Sequence, residues 1–204
     1  LAGWFVNSLA NGIPAALFIL YMRYVIGADE ITQGVLTIIY FFAGIVGMPA
    51  WIQLSRRFGK KHIWCLAMIM ASVTFATVPV LEVGDIYPFG AVVLLTGFCL
   101  GADLALPPAM QADVAEYEFL RKRRDRTGIM FAAWSMSTKL ALAASVGIAF
   151  PLLDWLGTTE PGNPEKYDLF VLTLIYAGLP VVLKVGAISI IWGYPLSKAK
   201  QSII

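Results

Sequence analysis

Five side chains able to do ionic or hydrogen-bond chemistry stand in stretches that otherwise avoid polarity. Asn7 and Asn11 lie in LAGWFVNSLANGIPAALFIL, Asp103 in TGFCLGADLALPPAM, Lys139 in FAAWSMSTKLALAA and Lys184 in YAGLPVVLKVGAISIIW. A carboxylate, two ammonium groups and two carboxamides can hold an ion, hydrogen-bond a polar solute or satisfy one another. They do not make a hydrolytic site. His62 is the only histidine, which excludes His-based metal clusters and Ser-His triads within the chain. Cys65 and Cys99 both fall in apolar stretches, so neither a disulfide framework nor a zinc site is indicated. Phosphate-loop, dinucleotide, HExxH and GxSxG motifs are absent, and no paired carboxylates are expected to face each other. The expectation is a chain that is not an enzyme and carries no cofactor.

The solvent around these groups decides what they mean. The 204 residues are 59% hydrophobic and 14% charged, with a mean hydropathy of +0.75. Soluble domains are roughly 45–50% apolar and about 25% charged, and a chain this short cannot bury so much apolar surface in one water-soluble core. The bilayer is the natural solvent, and six Trp with eight Tyr fit headgroup-level belts. A helix needs about 20 apolar residues to cross the hydrocarbon. Six segments satisfy this: Gly3–Ile26, Ile31–Leu54, Ile63–Leu81, Tyr87–Gln111, Thr127–Phe150 and Leu169–Gly193. The expected fold is an all-α integral membrane bundle, residues 1–204 forming a single domain of six transmembrane helices. The chain begins apolar, without a methionine, a basic n-region or a small-residue cleavage site; a fragment of a longer protein is expected.

Charge separates across the connectors. The second and fourth connectors (Ser55–His62 and Ala112–Arg126) and the tail hold eleven of the fifteen basic residues, from Arg56 and Arg57 to Lys198 and Lys200. The connectors on the other side carry Asp29, Glu30, Glu82, Asp85, Asp154, Glu160, Glu165 and Asp168. The excess of Lys and Arg in short loops marks the cytoplasmic side, so both ends of the segment are expected in the cytoplasm of a cell (inner) membrane. The net charge of +2 gives no footprint for nucleic acid. Basic loops also attract anionic lipid.

A charge at bilayer depth costs several kcal/mol and is by default a functional hypothesis. Lys139 lies thirteen residues after Arg126, about halfway along its span, with Ser135 one turn before it and small residues at Ala132, Ala143 and Gly147. The alternative is a structural lysine that is paired or snorkelling. Asp103 is the only acid within any expected span, and Lys139 on the following span is its expected partner. Asn7 and Asn11 are four apart and share a face. They precede Pro14, and Pro107-Pro108 sits in the fourth span, so both spans are expected to be interrupted, as around a transporter cavity; bonding a neighbouring helix is the other reading of such amides. Lys184 and Arg23 are expected to reach peripherally for an interface.

Two basic segments carry a family resemblance. PAWIQLSRRFGKKH (49–62) resembles the short loop between the second and third spans of each half of major facilitator transporters, with Gly59 as the turn glycine and Arg56, Arg57, Lys60 and Lys61 as its basic positions. ADVAEYEFLRKRRDRTGIMFAAWSMSTKLALA (112–143) resembles the loop and following span of the glycoside–pentoside–hexuronide:cation symporters, the melibiose permease family, with Asp113, Glu116, Tyr117, Arg126, Gly128 and Lys139 at matching positions. Thr127 departs from it, standing where that family often has Glu. LANGIPAALFILYMRYVIG (9–27) resembles the same family's seventh span.

The resemblance implies the carboxy-terminal half of a twelve-helix major facilitator, built as two inverted three-helix repeats, with the amino-terminal six-helix half of the same polypeptide as its partner. It implies cation-coupled symport (Na+ or H+) of a sugar or glycoside by alternating access, with spans one and four lining the cavity and spans three and six facing lipid. Asn7, Asn11, Asp103, Trp134 and Lys139 are the expected cavity residues, Trp134 as a stacking surface for a sugar ring. Arg56, Arg57, Lys60, Lys61, Asp113, Glu116, Tyr117, Arg121 and Arg126 are expected at the cytoplasmic gate. Two rivals stand beside this: a carrier of the same fold for a lipid or other organic solute, and a non-transporting structural membrane subunit.

Overall fold

The computed structural model describes residues 1–122, 126–156 and 166–193. These form six helices long and apolar enough to cross a membrane: α1 (Ala2–Ile26), α2 (Glu30–Phe58), α3 (Lys60–Val80), α4 (Ile86–Leu120), α5 (Thr127–Trp155) and α6 (Tyr167–Trp192). No strand occurs among the described residues.

The turns follow from local chemistry. Gly27, at φ 74°, closes α1 in the left-handed region that only glycine enters freely, and Asp29 then caps α2 by accepting from the Thr32 backbone N–H at 3.2 Å. The Thr32 contacts hold the exposed Asp29 carboxyl below its usual range. At the opposite, basic end the expected loop Ser55–His62 shrinks to one residue. Gly59 at φ 92° is the sole non-helical residue between α2 and α3. The expected connector after Gln111 is also largely helix, because ADVAEYEFL contains no Gly or Pro to stop α4. Asp113, Glu116 and Tyr117 therefore stand on a helix, not in a loop.

The expected interruptions at Pro14 and Pro107-Pro108 are not seen. Both α1 and α4 run helically through them. Proline removes one i→i−4 hydrogen bond, and neighbouring helices can absorb that loss in a membrane bundle. The departures from α geometry are π turns at Met22–Ile26 and Leu174–Gly178 and a 3-10 turn at Val78–Val80, which ends α3.

Packing has an approximate two-fold pattern: α1 packs mainly on α5 and α6, and α4 mainly on α2 and α3. The first helix of each triplet thus leans mainly on the second and third helices of the other. The closest approach is between α2 and α4. A Cβ at Gly101 would stand 2.5 Å from the Gly44 carbonyl oxygen and 2.7 Å from the Met48 nitrogen, and one at Gly97 would strike the Tyr40 backbone. Small residues drive such packing where lipid offers no hydrophobic force between helices. Trp51 Nε1 closes the contact by donating to the Phe98 carbonyl at 2.8 Å. The outward surfaces are apolar, with Ile38, Phe42, Ile45, Val73, Leu142 and Val182 all exposed.

Candidate functional site

The polar side chains of the spans meet in one buried network. α1 supplies Asn7 and Asn11 from one face, α4 supplies Asp103, α3 supplies Trp64 and α6 supplies Lys184. Asp103 Oδ1 accepts from Asn7 Nδ2 at 2.9 Å and from Trp64 Nε1 at 2.6 Å, and Oδ2 accepts from Asn11 Nδ2 at 2.8 Å. The Lys184 ammonium donates to Asn11 Oδ1 at 2.7 Å and Asn7 Oδ1 at 3.1 Å, and stands 4.0 Å from Asp103 Oδ2. Asn7 is 0%, Lys184 1% and Asp103 7% exposed, so both charges are buried. Each carboxamide turns its N–H toward the carboxylate and its carbonyl toward the ammonium, which satisfies both ions with dipoles of the right sign.

This overturns two expectations. Lys184 does not reach for an interface. Its neighbours on the inner face of α6, Pro180, Ala187 and Ile191, are buried with it, so the side chain has nowhere to go but inward. Lys139 does not pair with Asp103. The buried face of α5 is Ala141, Ser145, Ala149 and Leu153, and Lys139 lies off it, exposed with Ala132, Ser135 and Met136. The expectation that α3 and α6 merely face lipid is likewise corrected, since Trp64 and Lys184 come from them. Arg23 is exposed as expected, its guanidinium 5.7 Å from the Tyr24 ring centroid.

A cavity of about 220 Å³ opens beside the network. Asn11, Asp103 and Lys184 form its polar floor, and Phe18, Ile19, Phe41, Phe75 and Leu100 wall it, with Tyr40, Tyr176, Thr37, Thr96 and Cys99 as the other residues that carry a polar atom. The Thr96 hydroxyl is already spent on the Val92 carbonyl at 2.7 Å, and that of Thr37 on the Gln33 carbonyl at 2.7 Å.

Trp134 lies elsewhere. It stacks on Trp4 with centroids 4.2 Å apart and 18° between planes. Trp4 Nε1 donates to Thr138 Oγ1 at 2.8 Å, and its ring stands 6.2 Å from Trp64. Trp134 therefore offers one ring face to Trp4 and connects through two tryptophans to Asp103. These three indoles, with Pro107 and Met110, border a second cavity of about 270 Å³.

At the basic end, the Lys60 ammonium donates to both oxygens of Asp113 at 2.8 Å, tying α3 to α4, and Lys61 caps α6 by donating to the Trp192 carbonyl at 2.8 Å. Arg126 stands 4.0 Å from Glu118. Arg56, Glu116 and Tyr117 are exposed, and the Arg57 guanidinium lies 5.4 Å from the Phe58 ring centroid. The side chain of Arg121, like Arg123 and Arg124, lies outside the described residues.

Sequence reasoning missed Trp64 and misplaced Lys184. The spacing Pro180, Lys184, Ala187, Ile191 was the available signal for Lys184, since it repeats at helical period.

The chain is 26% identical over 172 residues to the sphingosine-1-phosphate transporter MFSD2B of Mus musculus, covering 82% of this chain and 33% of that protein. It is 23% identical over 204 residues to the sphingosine-1-phosphate transporter MFSD2B of Xenopus tropicalis, covering 97% of this chain and 39% of that protein. The chain thus spans well under half the length of these curated relatives. A family model described as MFS/sugar transport protein matches residues 1–198. Six apolar helices in this order are half of a major facilitator fold, and the chain belongs to the MFS/sugar transport protein family of that superfamily.

Proposed function

We propose that the protein to which this chain belongs is a secondary transporter of an amphiphilic, single-chain lipid, working by alternating access between two six-helix bundles. The observation that carries the cargo is the fate of the two asparagines. Carboxamides free in the cavity would suit a sugar, but the N–H and carbonyl groups of both are engaged by Asp103 and Lys184. The rest of the cavity wall is mostly apolar, with Phe18, Ile19, Phe41, Phe75 and Leu100 beside the phenols of Tyr40 and Tyr176, and such a lining suits an acyl chain better than a ring of hydroxyls. The relatives that carry the name sphingosine-1-phosphate transporter support the same class. Lys139, exposed on α5, is the cation that would meet an anionic headgroup arriving between the bundles.

Cation-coupled sugar symport of the melibiose permease type is the second reading. It is favoured by the wording of the family model and by the 112–143 segment. Coupling to Na+ or H+ is compatible with either cargo. The decisive assay is uptake into proteoliposomes by the full-length protein, with a radiolabelled single-chain phospholipid in one arm and radiolabelled glycosides in the other. Saturable lipid uptake without glycoside uptake supports the proposal. The reverse overturns it in favour of the sugar reading, and flux of neither favours a structural subunit.

A further inference from the structure

The oxygens around the Lys184 ammonium resemble the coordination of a bare cation. Two carboxamide oxygens, Asn7 Oδ1 at 3.1 Å and Asn11 Oδ1 at 2.7 Å, point at the nitrogen, and the Asp103 carboxylate stands behind them at 4.0 Å. Hard, neutral carbonyl oxygens backed by one carboxylate are donors for a hard cation. A single negative charge matches a single positive one. The ammonium is held by a stem from α6, while every oxygen that receives it comes from α1 or α4.

We propose that Asn7, Asn11 and Asp103 constitute a monovalent-cation site whose resident occupant is the Lys184 ammonium, and that a free alkali cation takes the position when that side chain is withdrawn. A free ion, released from the stem, settles closer to the carboxylate than the ammonium does. The cavity on whose floor Asn11, Asp103 and Lys184 lie holds about 220 Å³, and one water needs only about 10–15 Å³ of such space. It therefore has room for the ion's remaining water ligands and for the lysine to swing aside. The lysine's role is to make the Asp103 charge permanently compensated, so that α1, α4 and α6 stay joined without an ion from solution. The proposal holds whatever the cargo.

The test uses the full-length protein carrying Lys184→Ala, purified in choline, sodium, lithium or methylammonium chloride at one ionic strength, with thermal unfolding as the readout. The wild type in the same salts supplies the baseline for any ion site elsewhere. The expected result is an extra rise in Tm for the variant in sodium, lithium or methylammonium over choline, by about 2 °C or more at saturating salt. Adding Asp103→Asn abolishes that extra rise. If the variant folds in some salts only, recovery of folded protein in sodium or methylammonium but not in choline counts as the same support. A variant that unfolds alike in all four salts, that is stabilised by acid instead, or that yields no folded protein in any of them overturns the proposal. So does a salt effect that survives Asp103→Asn.

Discussion

Lys184 and Asp103 face each other across 4.0 Å with the carboxamides of Asn7 and Asn11 bridging them, so the two charges are joined more by amide dipoles than by direct contact. Inside a bundle this arrangement offsets the cost of burying ions, because three N–H groups donate to the carboxylate and two carboxamide oxygens accept from the ammonium. Four helices depend on it: α1, α3, α4 and α6.

Removing one charge strands the other. Asp103→Asn and Lys184→Met each lower the stability of the full-length protein by about 3–5 kcal/mol, the range for breaking one side of a buried pair. The double substitution costs well below the sum, since it leaves two neutral groups of nearly unchanged volume. A double-mutant cycle by detergent-phase unfolding measures the coupling. Additive costs would mean that the two ions do not interact.

The α2–α4 crossing rests on missing side chains. Gly97→Ala and Gly101→Ala force backbone apart, because the Tyr40 carbonyl, the Gly44 carbonyl and the Met48 nitrogen have no freedom to yield. Each is expected to cost about 1–3 kcal/mol. Gly34→Ala in α2 and Gly186→Ala in α6 meet nothing within 4 Å and are expected to stabilise by up to about 1 kcal/mol through helix propensity. Melting curves of the four variants give two signs, and the same sign for all four would refute the packing argument.

How much of this was legible beforehand is clear from particular residues. The six spans were, because twenty apolar residues between charged punctuation leave no other solution in a bilayer. That Asn7, Asn11 and Asp103 come together was partly legible, from the i, i+4 spacing of the amides and the scarcity of acids. Lys184 was not. In helices that are apolar all round, hydropathy does not mark the inner face, and a lysine with no polar companions on its own span reads as an interface anchor. Only its packing register with Pro180, Ala187 and Ile191 turns it inward. The single-residue turn at Gly59 was hidden for a different reason: charged residues look like loop, yet Arg56, Arg57 and Lys60 are good helix formers.

The Lys60–Asp113 pair at the basic end obeys different energetics. Its side chains are 31% and 24% exposed, so screening and water compete with the contact. Asp113→Ala is expected to cost about 1 kcal/mol or less, and the cost shrinks as salt rises because the Debye length falls. The exchanged pair, Lys60→Asp with Asp113→Lys, recovers part of the loss. Stability measured at low and high salt separates this from the buried network, whose cost barely moves with ionic strength. A salt-independent loss would place the pair in a drier setting than its exposure indicates.

Lys139 makes the opposite prediction to Lys184. It is exposed on α5, off the face that packs on the bundle, and no hydrogen bond or ion pair holds it among the described residues. Lys139→Ala therefore removes no internal contact, and stability should change by about 0.5 kcal/mol or less, as for a surface substitution away from special features. Transport should fall sharply if this ammonium meets an anionic cargo or a carboxylate of the other half. A cysteine at the position tests the premise directly. In an aqueous route, Lys139→Cys reacts with a charged, membrane-impermeant thiol reagent, and cargo slows the reaction. Pure hydrocarbon around it would leave the thiol unreactive, since the reagent needs the thiolate and the thiolate needs water. An unreactive thiol together with unimpaired flux would remove Lys139 from the translocation path and leave it as a lysine snorkelling along a lipid-facing helix.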